Sequence, residues 1–148
     1  MSRNINKNKK MNKQRLAILI IAGLGISATF MTWYDDSIFG SMSGTECGSS
    51  GRNNFILFLV PLIISLLNDK TKPLNGGLLY CAIIPSIIAG IIGIFYIIDI
   101  KYIIYVYTHN GHLPQVVQPF FTQSVGFGLY LVALAGITLP VAAFLVKK

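Results

Sequence analysis

Charge is scarce in this chain. Only 11% of its 148 residues are Asp, Glu, Lys or Arg, whereas 53% are hydrophobic. A soluble domain has roughly a quarter charged residues, and a soluble fold of this length could not cover so much apolar surface with so few charges. The scarcity therefore argues against an ordinary soluble domain and predicts an integral membrane protein.

Four long runs contain no charged side chain at all. They predict membrane spans at about residues 16–34, 53–67, 78–98 and 124–146. A helix needs about 20 apolar residues to cross about 30 Å of hydrocarbon, and the alternating pattern of barrel strands is missing. We therefore expect an all-α membrane protein, a four-transmembrane-helix bundle formed as one domain by residues 16–148, after a basic tail at 1–15.

The first run has an alternative interpretation as a secretory signal peptide. Basic residues precede it, and Ala28 could stand at a cleavage site. Ile26 is a poor partner for Ala28 in such a site, and the apolar run continues to Trp33. A retained first helix is the preferred interpretation.

The basic residues are segregated by the predicted topology. Ten of the twelve fall in the N-terminal tail, the second connection and the C-terminus, and only Arg52 and Lys101 fall on the other side. The positive-inside rule places the ten in the cytoplasm. An even number of spans also puts both termini on one side, so we expect a multi-pass protein of the plasma membrane with both termini cytoplasmic and the tail against anionic lipid. Because the charge is segregated in this way, nucleic acid is not expected as a partner.

Signatures of catalysis and proton transport are missing from the runs. An ionisable residue inside a span is the default marker of an ion or proton path, and none lies inside these four. The membrane-embedded Glu of small multidrug exporters, the C-x-x-C pair of quinone-linked disulfide enzymes, nucleotide loops and catalytic triads are absent as well. We expect a non-enzyme without cofactor or metal.

Cysteine is limited to Cys47, in the first outer segment, and Cys81, near the cytoplasmic start of the third span. A disulfide needs Cα atoms within about 7 Å, so a membrane thickness prevents their pairing. Cys47 is left as a free thiol or an intermolecular bridge.

Two outer segments, residues 35–52 and 99–123, are available for recognition. The first, rich in Gly and Ser, is expected to be a flexible, turn-rich connection. In the second, Asn110-Gly111 suggests a short hairpin, while an extension of the third helix to about Thr108 is slightly preferred. The aromatic residues expected to anchor the chain at the interface are Trp33, Tyr34, Tyr96, Tyr102 and Tyr105. The candidate outer recognition residues are Asp35, Asp36, Glu46, Cys47, His109 and His112. For these residues a solvated loop is the preferred interpretation over a cation or metal site.

Small residues predict close helix packing in the membrane. They recur at helical spacing on the first, third and fourth spans and are expected to line contacts inside the bundle or between copies. This predicted seam consists of Gly23, Ser27, Ser86, Ala89, Gly90, Gly93, Gly128, Ala135 and Ala142. Pro61, Pro85 and Pro140 interrupt three spans and can kink them.

The general layout is similar to that of small bacterial four-helix membrane proteins, which often end in a Gly-rich helix such as VGFGLYLVALAGITLPVAAFLV, residues 125–146. This resemblance implies a bacterial plasma membrane and no activity. The outer loop with Trp33 at its base also resembles that of claudin-like proteins, but the GLW sequence and the second Cys are missing, so claudin function is not implied. The expected function is that of an accessory, regulatory or immunity-type protein that binds another membrane protein or itself. The alternative is a small oligomeric channel or transporter.

Overall fold

The computed structural model describes residues 10–36, 40–109 and 123–146. These residues form helices and short strands in an order that begins and ends with a helix. The elements are α1 (Lys13–Thr29), β1 (Thr32–Asp36), β2 (Gly40–Ser43), α2 (Ser49–Leu66), α3 (Gly77–His109), β3 (Gln123–Val125) and α4 (Phe127–Leu145).

Three of the helices, α2, α3 and α4, are long and apolar enough to cross a membrane. This indicates a multi-pass membrane protein. Large apolar side chains lie on the surface of these helices, and Phe95 and Leu145 are 67% and 73% exposed. Such a surface suits lipid, because exposing apolar side chains is unfavourable in water but not in hydrocarbon. Helix α1 has 17 residues, because the chain leaves the helix after Thr29 and enters β1.

The helices pack side by side, with α1 and α3 each in contact with both α2 and α4. One buried cluster includes Ile18, Leu79 and Leu139. The other includes Trp33 and Phe58 and lies toward the strands. We call the end of the molecule that carries β1–β3 the sheet end. The opposite end, where Lys13, Lys70 and Lys72 lie, is called the basic end.

The closest helix contact joins α3 to α4 at two glycines. A Cβ on Gly90 would lie 3.1 Å from the Cα of Gly136, and a Cβ on Gly136 would run into the backbone of Gly90. One turn further, a Cβ on Gly93 would lie 3.2 Å from the backbone nitrogen of Ala133. Small residues are therefore required here because two backbones approach each other directly.

On α3 the predicted seam residues Gly90 and Gly93 lie at this contact, whereas Gly128 of α4 packs against the backbone of Ala28 and Thr32. Ser86, Ala89, Gly128 and Ala135 are buried, and Ala142 is partly buried. Nothing lies within 4 Å of a Cβ placed on Gly23, and Ser27 is exposed, its hydroxyl donating back to the Gly23 carbonyl. Gly23 and Ser27 therefore make no close helix contact within the chain, and the glycine of α1 that meets another helix is Gly25, which packs on the Phe58 ring of α2.

A small antiparallel sheet, in the order β2-β1-β3, closes the sheet end. Strand β1 pairs with β2 at Asp35↔Ser41 and with β3 at Tyr34↔Val125. The sheet is an addition to the predicted all-α fold. Its central strand, TWYDD, has the aromatic and β-branched start typical of strands, but its neighbours are too short and too rich in Gly and Ser to be recognised alone.

The helix ends also differ from the predicted spans. Helix α2 begins at Ser49, four residues before the predicted span, which removes the apparent shortness of that segment. Helix α3 runs to His109, so the preferred helical extension is confirmed. The alternative hairpin at Asn110-Gly111 and the residue His112 lie outside the described residues.

Candidate functional site: the sheet cap

The sheet cap consists of strands β1–β3 and the turn at residues 44–48, and Trp33 fastens it to the helices. Trp33 is fully buried, and its indole Nε1–H donates to the Ala28 carbonyl oxygen at 3.0 Å. Its ring meets the Tyr96 ring edge to face, with centroids 6.0 Å apart. Its backbone carbonyl accepts a hydrogen bond from Gly126 N, at the start of α4. One residue thereby joins α1, α3 and α4.

The prediction that Trp33 anchors the chain at the membrane interface is corrected by this burial, because its ring contacts the protein. The reason is that α1 ends at Thr29 and the chain turns, so that Trp33 points from β1 toward the helices instead of toward the headgroups. Tyr34 is partly buried, and its hydroxyl donates to Asp36 Oδ2 at 2.8 Å. Tyr102 and Tyr105 are 65% and 57% exposed, and their role as interface anchors stays a prediction.

The turn after β2 is held tightly against the end of α1 and the start of α2. Gly44 N donates to the Met31 carbonyl at 3.2 Å, and Thr45 N donates to the Thr29 carbonyl at 3.1 Å. A Cβ on Gly44 would enter the Trp33 ring, and one on Gly51 would collide with the Gly44 carbonyl. The turn-rich connection predicted for this segment is confirmed at residues 44–48, but Gly40–Ser43 form a strand and the turn is closely packed at Gly44, which a flexible connection would not be.

The acidic residues of the cap have separate local roles. Glu46 Oε2 accepts hydrogen bonds from both the backbone nitrogen and the hydroxyl of Ser43, at 2.8 and 2.7 Å. These two bonds lower the pKa of Glu46 below its ordinary value. Asp36 is buried beside Tyr34, while Asp35 is exposed. Within the described residues, no group of three His, Cys, Asp or Glu side chains comes together to hold a metal ion.

Cys47 lies in the turn of the cap, partly buried against the Trp33 cluster. Burial of the thiol and the nearby Glu46 charge both raise the pKa of Cys47. Cys81 is exposed on α3, and both thiols are free. Cys47 is therefore a protonated, weakly nucleophilic thiol at neutral pH.

The extension of α3 forms the second part of this end. Tyr96 donates its hydroxyl proton to Ser50 Oγ at 2.7 Å, which ties α3 to the first turn of α2. The Lys101 ammonium lies 5.9 Å from the ring centroid of Tyr130, within the range of a cation–π contact. His109 ends the helix. The structure thus brings the first outer segment and the beginning of the second together at one end.

A buried amide was missed by the sequence analysis. Asn54 of α2 is fully buried, and among the described residues it is the one buried side chain whose nitrogen and oxygen both lack a hydrogen-bond partner. Leaving such a group unpaired costs roughly 1–3 kcal/mol. An Asn inside a predicted span was the available signal.

A polar network at the basic end was also missed. Gln14 donates from Nε2 to the Ala143 carbonyl at 2.6 Å and accepts from Leu74 N at 2.7 Å. Arg15, only 3% exposed, donates to the carbonyls of Lys72 at 2.7 Å, Leu67 at 2.5 Å and Ser65 at 3.2 Å. The guanidinium therefore satisfies the carbonyls left open at the end of α2. Both residues belong to α1 and its packing, so the basic tail ends before residue 13 and not at 15.

Together, the fold and the site define a helical protein of the multi-pass membrane class, with a sheet at one end and a polar network at the other. Comparison of the chain with protein-family models, with curated proteins and with solved structures finds no match.

Proposed function

We propose that this chain is a non-catalytic protein of a bacterial plasma membrane that binds another membrane protein through its sheet cap and the extension of α3. Its role is accessory, regulatory or of the immunity type. The observation that carries the proposal is the sheet cap itself. Crossing a membrane requires only short connections between helices, whereas this chain builds a fixed surface from two separate segments.

In this proposal α1 is a fourth span. A helix of 17 residues is about 25 Å long, and α1 contacts α2 and α4, which are themselves long enough to cross. The apolar side chains Leu16, Ile20 and Leu24 are exposed along one face, as lipid contact requires. Four spans place both termini on the same side.

The basic end faces the cytoplasm and the sheet end faces outward. The backbone nitrogen of Asn12 donates to the Lys70 carbonyl, and Arg15 Nε donates to the Lys72 carbonyl, which brings the tail and the second connection to one end. The positive-inside rule assigns that end to the cytoplasm. The sheet cap is then the part of the molecule offered to partners outside.

Cysteine labelling tests this orientation. A membrane-impermeant maleimide added to intact cells should label Cys47, slowly at neutral pH and faster as pH rises, because the pKa of this thiol is raised. The Cys47→Ser variant is the control for labelling at Cys81. Labelling of Cys47 in inverted vesicles but not in intact cells would reverse the proposed topology.

The binding surface has features of a recognition edge. Strand β2 is at the edge of the sheet, and Ser41 and Met42 on it are exposed. An edge strand presents unpaired backbone groups to which another chain can add. Asp35 is exposed on the neighbouring strand, so a positively charged residue is the expected complement on the partner.

Affinity purification in mild detergent tests the partner hypothesis. We expect one stoichiometric membrane protein to copurify with the tagged chain and to be lost in the Asp35→Lys variant. The matched control is Asp69→Lys, the same change at the basic end. A partner lost equally in both variants, or a chain that purifies alone in both, contradicts binding through the cap.

One observation favours the alternative of an oligomeric channel or transporter. The unpaired amide of Asn54 is a polar group inside the helices, as a translocation path would require. Asn54 is fully buried within one chain, as are Ile18, Leu129 and Leu139, so such a path would run between the helices of a single chain. Ion flux in liposomes that disappears in Asn54→Leu would support this alternative.

A further inference from the structure

A groove opens on the surface of α3 near the sheet end. Its volume is about 350 Å³, and it is lined by Phe95, Tyr96, Ile98, Asp99 and Tyr102. The lining is aromatic and apolar apart from the Asp99 carboxylate and the tyrosine hydroxyls. Phe95, Ile98 and Tyr102 are all more than half exposed, so a ligand could reach the groove from the surrounding lipid.

One wall of the groove is fixed in advance. The Tyr96 hydroxyl donates to Ser50 Oγ at 2.7 Å, and the Tyr96 ring packs edge to face on Trp33. A wall held from two directions loses little freedom when a ligand binds, which favours affinity.

The carboxylate of Asp99 has no hydrogen bond or ion pair with any of the described residues. Lys101 is two positions further along α3, about 200° around the helix, and its ammonium lies over Tyr130. The groove therefore has a net negative charge, surrounded by aromatic rings whose faces attract cations.

The depth of Asp99 matches that of lipid headgroups. Helix α3 begins at Gly77, and about 20 residues are needed to cross the hydrocarbon. Asp99 follows directly after that length, where the helix leaves the apolar layer. The apolar side chains Ile98 and Phe95 lie on the side toward the membrane, where an acyl chain would run.

The chemistry of the site selects one kind of headgroup. A carboxylate without donors is best satisfied by a primary ammonium, which supplies three N–H donors, whereas a quaternary ammonium supplies none. A second copy of this chain, docked symmetrically through the same face, would bring two Asp99 carboxylates together. Charge complementarity therefore favours a lipid headgroup that carries an ammonium over a homodimer.

We propose that the groove at Asp99 is a binding site for a phospholipid with a primary ammonium headgroup, phosphatidylethanolamine, whose ammonium is held by Asp99 among the rings of Phe95, Tyr96 and Tyr102. This site lies at the beginning of the extension of α3, next to the sheet cap, because the Tyr96 ring contacts Trp33. It would fix the depth of α3 in the outer leaflet.

Native mass spectrometry of the purified full chain tests the proposal. The protein is incubated with equal amounts of phosphatidylethanolamine, phosphatidylcholine or phosphatidylglycerol, and the bound lipid is counted. Because a hydrogen bond to a charged group is among the stronger ones, we expect phosphatidylethanolamine to bind about tenfold more tightly than phosphatidylcholine. The fluorescence of Trp33, the chain's one tryptophan, should change on binding because its ring contacts Tyr96.

Substitutions of two carboxylates distinguish lipid binding at Asp99 from a nonspecific effect of removing a negative charge. Asp99→Asn should reduce the preference for phosphatidylethanolamine to none, whereas Asp35→Asn, the same change at an exposed site on β1, should leave it intact. Asp99→Glu should retain most of the preference. Equal binding of the three lipids, a preference for phosphatidylglycerol, a preference that survives Asp99→Asn, or a lipid-free dimer through this face would each overturn the proposal.

Discussion

Replacing Gly25 by Ala is expected to destabilise the packing of α1 on α2, whereas the same change at Gly23 is not. A Cβ on Gly25 would lie 2.6 Å from Cδ1 and 2.7 Å from Cγ and Cε1 of the Phe58 ring. Phe58 is fully buried, so the ring cannot move aside into solvent or lipid. A Cβ on Gly23 would meet nothing within 4 Å.

The size of the effect follows from two opposing terms. Overpacking a closely packed contact costs about 1–3 kcal/mol, while Gly to Ala inside a helix gains about 1 kcal/mol. Gly25→Ala carries both terms and should lose up to about 2 kcal/mol of unfolding free energy. Gly23→Ala carries only the favourable term and should be neutral or slightly stabilised.

Unfolding in detergent, followed by Trp33 fluorescence, measures both variants under one condition. A second change, Phe58→Leu, supplies a double-mutant cycle, because residues in contact show coupling energies of about 0.5–3 kcal/mol. Phe58→Leu should therefore be less harmful with Ala at position 25 than with Gly. Equal stability of Gly25→Ala and Gly23→Ala, or additive effects in the cycle, would refute the reasoning.

Three further predictions concern polar groups. Arg15→Met should cost several kcal/mol, because truncation of a buried charged donor leaves backbone carbonyls unpaired; denaturation in detergent should show this loss, with exposed Lys70→Met unchanged. Asn54→Leu should be neutral or stabilising, since it replaces an unpaired buried amide with an apolar side chain of similar volume. A lower melting temperature of this variant would indicate that the amide has a partner in the membrane. The lowered pKa of Glu46 means that its contribution to stability is present above the ordinary value of 4.5 and is lost as pH falls through the lower folded value; Glu46→Gln should flatten that part of a stability–pH profile, and an unchanged acid limb would contradict the assignment.

Long uniform residue patterns predict the parts of this fold that depend on the local chain. Three charge-free runs correspond to helices able to cross a membrane, and the extension of α3 past Ile98 follows from the absence of a helix breaker before Asn110. Gly90 and Gly93 were recognised because small residues at helical spacing have few other uses in an apolar helix. These features depend on the local chain alone.

Contacts between distant segments could not be read in the same way. The pairing of β1 with β3 joins residues near 34 to residues near 125, and strands of three to five residues have too short a pattern to specify a partner. Gln14 and Arg15 look like the end of a basic tail, yet they are buried because the carbonyls of α2, α4 and the second connection converge on them. Gly25, and not Gly23, makes the close contact with α2, because Gly25 lies on the face of α1 that meets Phe58.

Hydrophobicity and charge act along the chain, so the residue pattern alone indicates a helical protein of membrane character and the positions of its apolar helices. Three features emerge only when the chain folds: Trp33 is buried between the helices and the sheet, the Gly- and Ser-rich segment forms a strand and a packed turn, and Asn54 lacks a partner. Each of these depends on which groups from remote parts of the chain arrive at the same place. Hydrogen bonds and close packing act over a few ångströms in space, whatever the separation in sequence.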